Sequence, residues 1–406
     1  MSKIKITNFG PIKEGCLEEG GWIEIKKTTV FIGNQGSGKS TVAKLISIFT
    51  WIEKVLVRGD YETKWFDVKK NRDSLFSYHR LENYLSKNTK IEYIGDAYEM
   101  KYCDGKFSFE ALTKEEYFLP QIMYVPAERN FIAYVKSSKE LKLSSEALKD
   151  FLNEYDNAKK AIKKAVPLPI NMAFVEYNKT FDIIKINTND YNVKLTEASS
   201  GFQSLVPLYL VTEYLSETVK NIGNGNTGMT AKEMAKFKKE SENILLNNSL
   251  TEEQKRIAIS VLSSKFNKTA FINIVEEPEQ NLFPKSQWEL LKELLKFNNS
   301  VDKNKLILTT HSPYIINYLS IAIQADFLKN QIKTNAEQQD KLNYLVPLLS
   351  TVNSSQVSVY QFDETKGVLF QLKDYKGIPS DRNYLNNLLQ DANTLFDNLL
   401  EIEQEL

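Results

Sequence analysis

A short glycine-rich loop between an apolar run and an amphipathic segment constrains the fold of this chain more than any other feature. The run Thr29–Ile32 precedes a complete Gly-x4-Gly-Lys-Ser sequence, Gly33–Ser40, and apolar residues then recur at helical spacing from Val42 to Leu56. This order of strand, glycine loop and helix is the context that a phosphate-binding loop requires. The sequence therefore predicts an α/β protein in which the loop, called the phosphate loop below, connects a buried strand to a helix.

The residue types of the phosphate loop suit a nucleotide. Glycines let backbone N–H groups turn toward phosphate oxygens, Lys39 brings a positive charge to the β- and γ-phosphates, and the Ser40 hydroxyl is a ligand for Mg²⁺. The predicted nucleotide-binding residues of this segment are Gly33, Asn34, Gln35, Gly36, Ser37, Gly38, Lys39, Ser40 and Thr41. Lys39 is also predicted to assist catalysis through its charge.

The composition excludes several classes of protein. The 406 residues contain 52 Lys and Arg and 52 Asp and Glu, so the net charge is zero and DNA binding would require a local basic patch. Cys16 and Cys103 are the only cysteines, and His79 and His311 the only histidines. These counts exclude a disulfide framework and a histidine-rich metal centre. Because no run is long and apolar enough for a membrane span or a signal peptide, we expect a protein of the reduced cytoplasm without membrane contact.

The remaining segments predict alternating strands and helices. We expect strands over 3–32, a helix over 65–90, strands over 91–109 with a turn at Asp104-Gly105, a strand over 121–125, a helix over 139–165, a hairpin over 181–195 and a helix from 204. The polar segment 221–255 is predicted to be a surface insertion that is mobile or binds a partner. Short continuous apolar runs at Phe271–Val275 and Lys305–Thr309 predict parallel strands buried on both faces. We expect a first domain over 1–320, with a helical and insert region at about 135–270, and a small α+β segment over 321–406 that contains a hairpin at 358–372 and a helix at 381–405.

Two acidic residues follow the first of these apolar runs directly. Glu276 and Glu277 end the strand Phe271–Val275, which places carboxylates at the carboxyl edge of the predicted sheet. Glu276 would bond a water bound to Mg²⁺, and Glu277 would orient the attacking water or accept its proton. His311 follows the next apolar strand, where a neutral imidazole can donate to the γ-phosphate or to the same water.

Ser199, Ser200 and Gly201 precede the helix from Ser204. Small hydroxyl residues and a glycine at a helix N-terminus form an anion site, although on their own they are typical of an ordinary N-cap.

Together and in this order, the motifs resemble the ABC-type ATPase heads of the SMC, Rad50, RecF and OLD-nuclease group. Gly33–Ser40 resembles the Walker A loop, Ala198–Gln203 the signature motif, Phe271–Glu277 the Walker B strand with its catalytic glutamate, Gln280–Pro284 the D-loop, His311 the switch histidine and Ile4–Ile12 the first strand of these heads. The resemblance covers residues 1 to about 320. It implies a P-loop NTPase fold with a central mostly parallel sheet flanked by helices, an antiparallel β subdomain and a helical lobe. It also implies ATP and Mg²⁺ as cofactors, and a homodimer or higher homo-oligomer in which the signature residues of one copy reach the nucleotide of the other.

Some residues depart from the usual pattern of these heads and indicate which branch of the group the chain resembles. Glu276 stands where these heads usually have aspartate, and this substitution and the block Tyr124–Arg129 are typical of the OLD-like branch. Ser200 stands where the usual signature has glycine. No long coiled-coil arms interrupt the chain, and no Asp-x-Asp follows residue 320, so we expect no nuclease activity in this chain. The resemblance implies the ATPase subunit of a bacterial phage-defence system of the PARIS or Septu type, which acts on a separate nuclease or toxin.

Two other functions stay open from the sequence. A RecF-like DNA-repair ATPase would bind DNA directly through a basic groove, which Lys159-Lys160, Lys163-Lys164 and Lys236–Lys239 could supply. A transporter ATPase is less compatible with Glu276 and with the block Tyr124–Arg129.

Overall fold

The computed structural model describes residues 2–113, 117–135, 143–221, 231–247, 249–264, 266–333 and 335–404. Its strands are β1 (Ser2–Phe9), β2 (Trp22–Ile25), β3 (Thr28–Ile32), β4 (Leu85–Ile94), β5 (Tyr98–Cys103), β6 (Lys106–Ala111), β7 (Pro120–Val125), β8 (Val166–Pro167), β9 (Phe174–Asn178), β10 (Ile183–Asn187), β11 (Asn192–Lys194), β12 (Ala270–Glu276), β13 (Lys305–Thr310), β14 (Val357–Asp363), β15 (Val368–Gln371), β16 (Asp374–Tyr375) and β17 (Ile378–Pro379). Its α-helices are α1 (Lys39–Arg58), α2 (Lys69–Ser77), α3 (Glu146–Ala161), α4 (Ser200–Lys220), α5 (Ala231–Leu245), α6 (Glu252–Ser264), α7 (Pro284–Asn299), α8 (Pro313–Gln331), α9 (Ala336–Leu345) and α10 (Tyr384–Gln404).

A six-stranded sheet in the order β15-β14-β3-β13-β12-β7 forms the centre of the fold. The strands from β14 to β7 run parallel, and β15 is antiparallel to β14. All residues of β3 and β12 are buried, as their continuous apolar runs predicted. The predicted fold class is therefore confirmed: helices flank a central mostly parallel sheet.

The central sheet separates two hydrophobic cores. On one face, α1 lies under the antiparallel sheet β2-β1-β4-β5-β6, and Phe31 and Ile274 pack in the same cluster as Phe49 of α1. On the other face, Val30 and Val275 share a cluster with α3, α4, α7 and α8. Adjacent residues of β3 thus point into different cores, as the alternation of a strand requires. No helix in the described ranges has both the length and the apolar character that a bilayer span needs.

Several predicted boundaries were wrong. The helix predicted over 65–90 is only α2, and β4 begins at Leu85, because Leu85 pairs with Phe9 of β1 and this tertiary pairing outweighs the polar local sequence. The helix predicted over 139–165 begins after its N-cap Ser145, whose side chain accepts a hydrogen bond from the Leu148 N–H. Residues 139–142 of that prediction lie outside the described residues. The final helix begins at Tyr384 instead of 381.

The hairpin predicted at 358–372 forms as β14 and β15. Its position was not predicted: β14 pairs in parallel with β3, so that Gln361 lies beside Ile32, the residue before the phosphate loop. The central sheet therefore includes residues from beyond 320, and the domain boundary at residue 320 stays a prediction.

Where the structure describes it, the predicted surface insertion consists of α5 and the start of α6 with a short irregular connection between them. Residues 222–230 lie outside the described residues, and α5 follows them. The Arg58 guanidinium at the end of α1 donates to Glu233 Oε1 at 2.7 Å, and Lys268 Nζ lies 3.0 Å from Glu233 Oε2. Ion pairs thus tie the first turn of α5 to α1 and to the segment before β12, and the partner-binding role of the insertion stays a prediction.

Candidate active site

The carboxyl ends of three neighbouring parallel strands form one edge of the central sheet. Register places Glu276 of β12 beside Thr309 of β13, and Thr309 beside Phe31 of β3. Since the strands are parallel, the segments that follow them leave the sheet on the same side. The structure therefore brings together the phosphate loop, the two glutamates and His311, which the sequence placed in three distant segments.

The phosphate loop has the conformation that its glycines allow. Gly33 and Gly38 have φ values of 148° and 110°, and a Cβ on Gly33 would lie 2.9 Å from the Cβ of Phe362. Lys39 Nζ donates to the carbonyl oxygens of Gly33 at 2.8 Å and Asn34 at 2.7 Å. The Ser37 Oγ is buried and has no partner within the described part of the chain, which fits a site for a phosphate oxygen.

Lys39 carries its charge in an unusual environment. It is 5% exposed, and burial lowers the pKa of its ammonium to about 8. The charges of Glu277, Glu279 and Glu364 act in the opposite direction. Phosphate groups in the loop would favour the charged form further.

Glu277 lies next to His311. The distance from His311 Nε2 to Glu277 Oε1 is 3.4 Å. The interaction with His311 is the largest influence that lowers the pKa of Glu277, and the positive charges of Arg129 and Lys39 act in the same direction against the effect of burial. Glu277 is therefore ionised at neutral pH and has the protonation state that a base for an attacking water needs.

Glu276 occupies a more buried position than Glu277. It is 5% exposed, and its Oε2 accepts a hydrogen bond from the Ala127 N–H at 3.1 Å. Oxygen donors of this kind, with Ser40 in the first turn of α1, fit Mg²⁺, which typically takes one or two protein ligands and completes its shell with phosphates and water. Among the described residues there is no group of three or more His, Cys, Asp or Glu that could hold a metal by itself.

The signature segment, Ala198–Gln203, is held by the chain that follows Glu277. Ser199 is the N-cap of α4, but its side chain makes no capping hydrogen bond, and Ser199 and Ser200 are both exposed. A Cβ on Gly201 would lie 2.9 Å from the Asn281 carbonyl oxygen, and the Asn281 side chain donates to Ser204 Oγ at 2.9 Å. The predicted signature and D-loop residues therefore pack against each other within one chain.

Arg129 has a structural role that the sequence did not reveal. Its side chain is fully buried and donates only to backbone carbonyl oxygens among the described residues. The acceptors are Ser204 at 3.1 Å, Pro126 at 3.3 Å, Glu276 at 2.7 Å and Glu277 at 2.6 Å. One guanidinium thus joins the end of β12 to the first turns of α4. The block Tyr124–Arg129 was the only sequence signal for this residue.

The backbone of Glu277 explains why such support is needed. Its φ is 44°, in the left-handed region that glutamate rarely adopts. Such a conformation costs about 1–3 kcal/mol and persists only where its surroundings hold it. The Glu277 N–H donates to the Thr309 carbonyl at 2.8 Å, and its carbonyl accepts from Arg129, so both sides of the strained residue are fixed.

Two further glutamates at the site were not predicted. Glu279 Oε1 accepts a hydrogen bond from the His311 N–H at 2.7 Å, which ties the two strand ends together. Glu364, in the turn between β14 and β15, accepts from the Asn34 side chain at 3.0 Å. No local pattern could indicate the second contact, because 330 residues separate its partners.

Comparison with known proteins agrees with this geometry. A family model described as an AAA ATPase domain matches residues 128–316, which include the signature segment, Glu276, Glu277 and His311. No curated protein matches.

Similar solved structures include an SMC head domain from Thermotoga maritima, with 10% identity, a TM-score of 0.38 and coverage of 92% of this chain and 98% of that one. An Smc head bound to the C-terminal domain of ScpA, from Pyrococcus furiosus, has 10% identity, a TM-score of 0.37 and coverage of 98% and 100%. The ATP-binding cassette MJ0796, a dimer bound to ADP and phosphate, has 12% identity, a TM-score of 0.32 and coverage of 92% and 100%. At these scores the likenesses carry no argument about activity.

Four observations support one conclusion: the parallel sheet, the phosphate loop at its carboxyl edge, the two glutamates at the end of β12 and the match to the family model. This chain has the α/β architecture of a P-loop NTPase, and its residues 128–316 are similar to an AAA ATPase domain.

Proposed function

We propose that this chain is an ATP-driven switch. Two copies close on ATP, and the closed form controls a separate effector protein in bacterial phage defence. The observation that carries the proposal is the exposed signature segment. Ser199 and Ser200 are exposed at the N-terminus of α4, and no side chain among the described residues caps this helix. Its first backbone N–H groups can therefore bind a phosphate of the nucleotide held by a second copy.

The chemistry at each site follows from the residues at the sheet edge. The phosphate loop binds ATP, with Lys39 at the β- and γ-phosphates and with Ser40 and Glu276 toward Mg²⁺. Glu277 accepts a proton from the attacking water, and His311 orients Glu277 and the γ-phosphate. Hydrolysis then removes the group that holds the two copies together.

Arg129 gives the switch a physical connection between binding and catalysis. It bonds the backbone of α4 through Ser204 and the backbone of the catalytic glutamate Glu277. When a partner's nucleotide engages the N-terminus of α4, a shift of this helix is transmitted to the carboxylate that hydrolyses the chain's own ATP.

The assignment to phage defence rests on the resemblance to the OLD-like branch through Glu276 and the block Tyr124–Arg129. Because no Asp-x-Asp follows residue 320, we assign nuclease or toxin activity to another chain of a PARIS or Septu type of system, and we place this protein in the cytoplasm. Purified chain incubated with plasmid DNA and tRNA, Mg²⁺ or Mn²⁺ and ATP should leave both intact. Cleavage that disappears on substitution of Asp363 and Glu364 would contradict this assignment.

The RecF-like alternative has less support. Two of the lysines that would line a DNA groove already form ion pairs within the chain. Lys159 pairs with Asp156 at 2.9 Å and with Asp182 at 3.1 Å, and Lys236 pairs with Asp60. Paired lysines release few counterions on contact with DNA and contribute little to its binding.

Mixing two inactive variants tests the shared site. Lys39→Ala removes the phosphate-facing charge, and Ser200→Arg blocks the signature segment. In a mixed dimer, one of the two composite sites contains an intact loop and an intact signature, so ATPase activity should return to about a quarter of the wild-type level by random pairing.

The matched control mixes Ser200→Arg with the double variant Lys39→Ala/Ser200→Arg, which cannot form an intact composite site. Equal activity in the two mixtures, where mass measurements show mixed dimers, would mean that each copy hydrolyses ATP on its own.

A further inference from the structure

The helix α10 is anchored at its first turn and then leaves the body of the protein. Leu385 is buried in the core, the Tyr384 N–H donates to Gln361 Oε1 at 2.8 Å, and the Asn386 side chain bonds Asn317 at 3.2 Å. From residue 387 to residue 404, every residue whose burial is described is exposed. At about 1.5 Å per residue, this projecting part is about 27 Å long.

One face of the projecting helix is apolar. Its exposed apolar residues are Leu388 (47%), Leu389 (55%), Leu395 (65%), Phe396 (61%), Leu399 (62%), Leu400 (39%) and Ile402 (57%). The successive steps from Leu388 to Leu395, from Leu395 to Leu399 and from Leu399 to Ile402 are seven, four and three residues. This is the pattern of a helix that packs along another helix. Contiguous exposed apolar surface of this kind marks an interaction site.

The charges on α10 indicate which chemistry would suit a helix that packs on its apolar face. Its charged residues are Asp391, Asp397, Glu401 and Glu403, and the sequence Tyr384–Gln404 contains no Lys, Arg or His. A second α10 would bring four carboxylates against four with no cation to pair them, and an anionic membrane surface would be repelled in the same way. A helix with Lys and Arg beside an apolar stripe satisfies both the stripe and the charges.

We propose that α10 is the docking site for a basic amphipathic helix of a partner protein. The proposal rests on the effector control proposed above and specifies the chemistry of the effector surface. The partner helix lays its apolar stripe on Leu388, Leu395 and Leu399 and directs its Lys and Arg side chains to the carboxylates of α10.

The root of α10 lies next to the nucleotide site, so docking is coupled to it by direct contacts. Gln361, which accepts the hydrogen bond from Tyr384, is paired in register with Ile32, the residue before Gly33. The turn of the same hairpin holds Glu364 against Asn34 of the phosphate loop. The hairpin β14–β15 thus connects the docking helix to the loop that binds ATP.

Peptide binding to the full chain tests the proposal. The first peptide is a synthetic 21-residue helix with Leu at the a and d positions and Lys beside them; the second has Glu in place of every Lys, and the third has the first composition in scrambled order. Fluorescence anisotropy should show binding of the basic amphipathic peptide and at least about tenfold weaker binding of the other two. Leu395→Asp/Leu399→Asp should weaken the binding of the basic peptide at least about tenfold.

Two further variants distinguish the contribution of the apolar stripe to peptide binding from the effects of helix content and of charge. Gln390→Glu/Asn393→Asp adds the same two charges on the opposite face and should keep or strengthen binding. Asp397→Asn/Glu401→Gln keeps the stripe and should weaken binding and reduce its salt dependence.

Three results would overturn the proposal: no binding of the basic peptide, equal binding of the acidic or scrambled peptide, or self-association of the chain that Leu395→Asp/Leu399→Asp abolishes. ATP binding is measured on the same samples. If the chain binds ATP but does not distinguish the basic peptide from the other two, the docking site alone is overturned. If the chain does not bind ATP, the proposed switch is contradicted.

Discussion

The nucleotide edge of the central sheet and the helix α10 are built on opposite principles. At the edge, Glu276, Glu277, Glu279 and Arg129 are held by hydrogen bonds within the chain, many of them to backbone groups. On α10, apolar side chains such as Leu395 face solvent, and the described contacts are confined to its first turn. The first region is held within its own chain, whereas the second has no packing partner among the described residues beyond its first turn.

The difference separates chemistry from recognition. Catalysis requires side chains held within fractions of an ångström, which buried and fully bonded groups provide. A recognition surface can stay exposed until its partner covers it. Until then, its apolar side chains remain in contact with water, which is unfavourable in free energy. We therefore expect substitutions at the edge to change hydrolysis or stability, and substitutions on α10 to leave both nearly unchanged.

The largest effect is expected for Glu277→Gln. An amide cannot accept the proton of the attacking water, so kcat should fall about 10²–10⁴-fold, while ATP still binds and the closed form accumulates. Single-turnover hydrolysis and calorimetric ATP titration measure the two quantities. Glu293→Gln, on α7, is the matched control. If Glu277→Gln hydrolysed ATP at the wild-type rate, Glu277 would not be the catalytic base.

Arg129→Lys should lower kcat about tenfold with little change in the Kd for ATP. A single ammonium nitrogen does not reproduce the separate guanidinium nitrogens that reach Ser204 and Glu277, so the backbone of Glu277 loses support. The melting temperature should also fall by several degrees, since buried carbonyl groups lose donors. Arg80→Lys, at an exposed pair with Glu128, serves as the control. A lower melting temperature with an unchanged kcat would show that Arg129 stabilises the fold without positioning Glu277.

The affinity for ATP should fall as the pH rises through about 8. Burial lowers the pKa of Lys39 to about 8 in the free protein, and bound phosphates raise it, so above pH 8 binding must take up a proton. The Kd should then increase by up to about tenfold per pH unit between pH 8 and the pKa of the complex. Calorimetry in two buffers of different ionisation enthalpy measures the uptake, and a pH-independent Kd from pH 7.5 to 9.5 would contradict it.

The smallest effect is expected for Leu395→Asp/Leu399→Asp on the isolated chain. Both side chains are exposed, so the free energy of unfolding should change by less than about 1 kcal/mol, and ATPase activity should be unchanged. Leu205→Asp, in the core under the sheet, is the contrasting variant and should unfold the protein. If the α10 variant also lost stability by several kcal/mol, α10 would pack on its own chain, and the contrast between the two regions would disappear.

Much of the site was predictable because its parts are local patterns. The phosphate loop, the glutamates after a buried strand and the histidine after the next strand each follow an apolar run whose length indicates a central strand. Parallel strands then place their carboxyl ends on one edge, which brings Lys39, Glu277 and His311 together without further information. The predicted helix over 65–90 was wrong for the opposite reason, because its last residues pair with a strand some 75 residues earlier.

The sequence by itself determined the fold class and predicted which residues would meet at the carboxyl edge of the sheet, since strand length, glycine spacing and residue chemistry are encoded over a few neighbouring positions. Only the tertiary structure decided that Arg129 joins α4 to the backbone of Glu277, that β14 lies beside β3 with Glu364 against Asn34, and that α10 leaves the body after one turn. These contacts join segments that are about 75 to 330 residues apart. Their energies depend on packing and hydrogen bonding between distant parts of the chain, which no local pattern records.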